Sequence, residues 1–259
     1  MTYDTQEFAR VRSLMLLTAA AAWMLLLTEP RAMPMIVPCA ATGAGPMPSS
    51  LPMLLSMNPP GLLAAGWALM LIAMMTPVLI EPVRYIRMRS FTHRRARAVL
   101  LFLGGYAAVW MATGVVLLGS AFAVEAFAPQ SYLPAAGIVL VALVWQFTPI
   151  KQRCLNRCHA LSGLAAFGTA ADLSALRFGA IHGLWCAVSC SAMMLAPMLL
   201  PGGQLVAMAT VSILIFSERL EQPAVPRWRW HGFGQVIRIL VAQTRIRLQS
   251  RQIDPALSE

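Results

Sequence analysis

His182, Cys186 and Cys190 stand four residues apart in succession, with Met194 next. On a helix, four-residue spacing puts side chains on one slowly drifting face. An imidazole, two thiols and a thioether are ligands for copper(I), zinc or a related soft ion. The same stripe also suits a packing seam. Cysteine and serine are small, Ser189 and Ser191 are close by, and small residues let helices in a membrane approach one another. Cys154 and Cys158 repeat the C-x3-C spacing and are followed by His159. Lys151, Arg153 and Arg157 surround them and favour thiolate. This pair reads either as a metal-ligand set at the cytoplasmic face or as an ordinary reduced loop. Cys39 stands alone. A third source of sulfur is Met70 and Met74, which share a helix face and serve equally as packing residues.

The elements that must position these groups are membrane helices. Hydrophobic residues make up 58% of the chain and charged residues 12%, with a mean hydropathy of +0.67. A soluble domain carries about 25% charge, so this surface is too apolar for water. About six apolar runs approach the roughly 20 residues a spanning helix needs: Val11–Leu27, Gly61–Ile80, Ala98–Val124, Leu133–Ile150, Phe178–Leu200 and Gln204–Glu218. The expected fold is therefore an all-α polytopic membrane bundle. With the N-terminus inside, nineteen of the twenty basic residues fall on the inner side and only Arg31 lies outside. That distribution puts both termini on the cytoplasmic side, and an inner (cytoplasmic) membrane is the expected location of the bundle.

Two regions divide the chain. Residues 1–222 form the bundle, with a Pro- and Met-rich outer loop at 28–60. Residues 223–259 form a basic tail in which Arg227-Trp228-Arg229-Trp230 suits the headgroup region of a lipid bilayer. Met33, Met35, Met47, Met53 and Met57 in the loop read as surface-resting apolar residues or as a thioether collector for a soft metal. The net charge of +10 is spread among the loops as topogenic charge, so a nucleic-acid partner is not expected. Neither a phosphate-cradling glycine loop nor a nucleophile elbow is found, and an enzyme is not expected.

The depths can be matched. The second run goes inward and the fifth outward, which puts Met70 level with Cys190 and Met74 nearer the cytoplasm with Cys186. The sulfurs meet if the two helices pack together.

Four elements together resemble a bacterial family of predicted metal-binding integral membrane proteins, domain of unknown function 2182. They are Trp67-Ala-Leu-Met-Leu-Ile-Ala-Met-Met-Thr-Pro77, Tyr106-Ala-Ala-Val-Trp110, Trp145-Gln-Phe-Thr-Pro-Ile-Lys151 with Cys154 and Cys158, and Gly179-Ala-Ile-His-Gly-Leu-Trp-Cys-Ala-Val-Ser-Cys190. The resemblance covers roughly Gly61 to Glu221 and implies a membrane protein with a metal role. Val188 and Ser189 stand where that family tends to have glycine and cysteine, so one thiol of the implied site is missing.

The leading expectation is a membrane protein that handles copper(I), or zinc in its place. Its expected ligands are His182, Cys186, Cys190, Met70 and Met74 in the bundle, with Cys154, Cys158 and His159 at the cytoplasmic face. Its partners would be lipid, the metal ion and another membrane or periplasmic protein. One alternative is a scaffold or assembly subunit that uses its helix faces and basic tail. Another is a thiol oxidoreductase with Cys186 and Cys190 as the redox pair. Cα atoms four apart on a helix are about 6 Å apart with diverging side chains, which is awkward for a disulfide.

Overall fold

The computed structural model describes residues 3–28, 59–128, 131–200 and 202–228. The outer-loop methionines, Cys39 and most of the basic tail lie outside them. Among the described residues all regular structure is helical. In chain order the helices are α1 (Tyr3–Thr28), α2 (Pro60–Met75), α3 (Ile80–Arg89), α4 (Arg95–Phe127), α5 (Tyr132–Phe147), α6 (Pro149–His159), α7 (Gly168–Met198) and α8 (Gln204–Arg219).

Among the described residues, four segments are long and apolar enough to cross a membrane: Gln6–Thr28, Pro60–Arg89, Thr92–Phe127 and Gly168–Met198. The α5–α6 pair makes a fifth if it is counted as one broken span. The expected sixth run is α8, whose 16 residues fall short of the usual spanning length.

Two prolines shape the path. Pro77 sits in a 3-10 turn, Thr76–Leu79, that joins α2 to α3. Pro149 does more. It removes a backbone donor and pushes Thr148 into an extended conformation, which ends α5. The Thr148 hydroxyl then accepts from the Lys151 amide and caps α6. The chain turns by 70° there. The expected straight run Leu133–Ile150 is therefore two helices, and the turn decides where Cys154 and Cys158 go. At the other end of the bundle, Gly203 adopts φ +75° and lets the chain return from α7 into α8.

The centre of the fold is a parallel pair, α4 and α7. Arg94, just ahead of α4, meets Asp172 at 2.7 Å, Phe102 meets Gly179, and Tyr106 meets Gly183. Glycines permit this approach. A Cβ on Gly179 would run into the Phe102 carbonyl, and one on Gly105 into the Leu176 carbonyl. Small residues at helix crossings are how membrane helices gain packing energy without a hydrophobic drive between them.

Carboxylates tie the helix ends on the side where α1 begins. Glu7 pairs with Arg87 of α3 and Arg95 of α4. Asp172 holds both Arg94 and Arg97.

Across the core, α2 packs against α1 and α4. The Trp67 indole donates to the Trp110 carbonyl at 3.0 Å and lies where Gly114 leaves room for it. Trp67→Phe is expected to lower stability by about 1–2 kcal/mol, through the lost hydrogen bond and a small void. Unfolding midpoints in mixed detergent micelles measure this, and an unchanged midpoint would show that the indole bond adds nothing.

Candidate metal centre

His182, Cys186 and Cys190 are all buried on the inner face of α7, as their spacing requires. The His182 ring is enclosed by Phe102, Tyr106 and Phe178, with ring centroids 6.0, 6.0 and 6.1 Å away. Its Nε2 is buried and has no hydrogen-bond partner. A buried polar nitrogen without a partner is costly in an apolar enclosure. It is also the atom an imidazole offers to a metal.

Cys186 is fully buried. Its Sγ accepts from the Arg219 guanidinium at 3.0 Å and lies 3.5 Å from the Tyr106 hydroxyl. Cys190 donates instead to the Cys186 carbonyl, at 2.9 Å.

The second thiol pair packs against the helix that carries the first. The turn at Pro149 lays α6 against α7, and Cys154 and Cys158 are both buried. Cys158 lies within electrostatic reach of the same Arg219 guanidinium that donates to Cys186. One cation at the end of α8 thus joins a thiol of α6 to a thiol of α7. Lys151, an expected neighbour, acts on Cys154, whereas the cation facing Cys158 is Arg219. His159 directs Nδ1 to the Leu155 carbonyl at 2.8 Å and Nε2 to the Arg219 carbonyl at 3.2 Å. In this arrangement it anchors the end of α8. Met70 and Met74 are buried in the same core as Cys186 and Cys190, although α2 reaches that core from its packing on α1 and α4.

Beside the thiols lies a buried ionic group. Lys151 is fully enclosed and pairs with Glu218 at 2.7 Å. Gln146 bonds both of them, and the Met193 sulfur lies 3.9 Å from the ammonium. Glu218 and Arg219 are consecutive. One reaches Lys151, and the other reaches the thiols.

Arg219, Glu218, Gln146 and Tyr106 make contacts here that their types and spacing do not announce. The available clue was a charged pair, Glu218-Arg219, closing an apolar run where a loop charge was assumed.

Among the described residues, no group of three or more His, Cys, Asp or Glu gathers that could hold a metal ion. A closed zinc site wants four ligands, and nothing here supports zinc. Copper(I) is less demanding, because it accepts a pair of thiolates. The donors present fit it: two buried thiols sharing one counter-cation, with an imidazole nitrogen left unpartnered one turn away.

An all-α chain with apolar helices long enough to cross a membrane and buried thiols against its central helix defines the class. The chain belongs to the PpoB2 family, described as copper chaperone, whose model matches residues 64–242. That family is metal-related, as the resemblance of the four sequence elements implies, and its description fits a copper-handling role. No curated protein matches the chain. No solved structure matches it either.

Proposed function

We propose that this chain is an integral inner-membrane protein that holds copper(I) between Cys158 and Cys186 and passes it on to a protein partner. His182 stands as the further ligand, and Cys190, Cys154, Met70 and Met74 form the soft surroundings through which the ion moves. The chain crosses the membrane six times with both termini inside, α8 being a short last span. The support for that topology is the basic charge on one side of the apolar runs. Copper here is cargo, so the site must release it, and two thiolates on different helices can part as those helices move.

The single observation that carries this reading is the shared guanidinium. Arg219 donates to the Cys186 sulfur of α7 and faces the Cys158 thiol of α6, beside the buried Lys151–Glu218 pair.

Binding replaces each thiol proton with a sulfur–copper bond. The protons leave to water, and copper stays in the +1 state. No electron moves, so no oxidant is required.

The test is copper(I) retained by protein purified in detergent under reducing conditions. Cys158→Ser and Cys186→Ser are each expected to lower it by about tenfold or more, since each removes half of the thiolate pair. Cys154→Ser should have a much smaller effect. Equal copper retention in wild type and the Cys158→Ser/Cys186→Ser double variant would remove this site.

A further inference from the structure

A site for a metal ion is also a site for a particular charge. Cys158 and Cys186 are buried thiols, and the fixed cation against them is Arg219. We infer that Arg219 is a specificity residue, which makes the site select a monovalent soft ion over a divalent one. The inference rests on the thiol pair proposed above as the copper site.

The argument is charge arithmetic in a place with little water. Two thiolates and one copper(I) ion leave one negative charge. The guanidinium beside them cancels it, and the occupied site is neutral. Two thiolates and one zinc(II) ion are already neutral. The same guanidinium is then an uncompensated positive charge next to a second cation, in surroundings where such a charge is poorly solvated.

Arginine suits this task better than lysine would. It stays protonated under all ordinary conditions, so the selecting charge cannot be lost. Its planar fork presents several donors, one of which meets the Cys186 sulfur at 3.0 Å.

The position of the cation is fixed from both sides. The Arg219 carbonyl faces the His159 ring, and the preceding Glu218 is held by Lys151 at 2.7 Å. Arg219 therefore cannot withdraw far without breaking the end of α8. The neighbouring ammonium of Lys151 has its own carboxylate in Glu218, which leaves the Arg219 charge for the thiols.

Competition between copper(I) and zinc(II), with silver(I) as a redox-inert monovalent check, tests this on the full chain in detergent. Arg219→Gln is expected to shift the preference toward zinc by about tenfold or more, the effect of one nearby unit charge partly screened by its surroundings. Arg219→Lys keeps the charge and should retain most of the wild-type preference.

Wild-type preference in Arg219→Gln, with metal still lost in Cys158→Ser/Cys186→Ser, would overturn the inference and leave the copper site standing. An equal shift in Arg219→Lys and Arg219→Gln would also overturn it, since charge would then not be the cause. Should Arg219→Gln fail to fold, the wild type alone decides. It must bind silver(I) in clear preference to zinc(II), and equal uptake of the two sinks the idea.

Discussion

Gly179→Leu is expected to separate α4 from α7 and to destabilise the bundle by about 3 kcal/mol or more. The first atom a side chain would meet is the Phe102 carbonyl, followed by the Phe102 carbonyl carbon at 2.8 Å and Cα at 3.0 Å. All three are backbone, and a helix backbone cannot turn aside as a rotamer can. Overpacking a tight core ordinarily costs about 1–3 kcal/mol, and more where nothing can yield. Gly179→Ala should be milder and still measurable. Gly104→Ala is the control, because a Cβ there meets nothing within 4 Å, and it should be neutral or slightly stabilising. The effect reaches the site as well. Tyr106 lies on α4 and touches the Cys186 sulfur, so a widened crossing pulls the hydroxyl away and copper(I) retention should fall with stability. Detergent unfolding midpoints for the three variants measure the first part, and bound copper the second. A Gly179→Leu protein that unfolds at the wild-type midpoint would mean that the α4–α7 contact is not the one drawn here.

The sequence showed which residues face inward, and it missed how the short helices bend. Four-residue spacing put His182, Cys186 and Cys190 on one face because a helix leaves no other choice, and all three are buried. Long apolar runs marked α1, the α2–α3 segment, α4 and α7 for the same reason. The position of Cys158 was not legible. It depends on the turn at Pro149, and a proline after a threonine signals a break without giving its direction. If the chain ran straight on, the thiol pair would stand at the cytoplasmic face, as a metal-ligand set or an ordinary reduced loop. Arg219 was hidden differently. Arginine at the end of an apolar run looks the same whether it enters water or turns back onto a thiol. Only the packing of α8 against α7 tells the two apart.

The buried pair of Lys151 and Glu218 should be the most sensitive polar contact in the chain. Removing one partner leaves the other charged in a place with little solvation, a loss of about 3–5 kcal/mol where buried ion pairs have been broken. Glu218→Gln leaves the ammonium with the Gln146 oxygen and the Met193 sulfur, neither of which carries a compensating charge. Lys151→Met strands the carboxylate in the same way. The double variant Lys151→Met/Glu218→Met removes both charges, and its cost should be much smaller than the sum of the singles. Unfolding midpoints across this cycle test the pairing, and additive losses would show that the two groups do not depend on each other. Copper(I) binding read on the same proteins separates this pair from Arg219. The double variant keeps the guanidinium and both thiols, so where it folds it should keep the preference for copper(I) over zinc(II). Glu218→Gln and the double variant should both bind copper(I) more weakly, because freeing the end of α8 loosens the cation that faces Cys158 and Cys186.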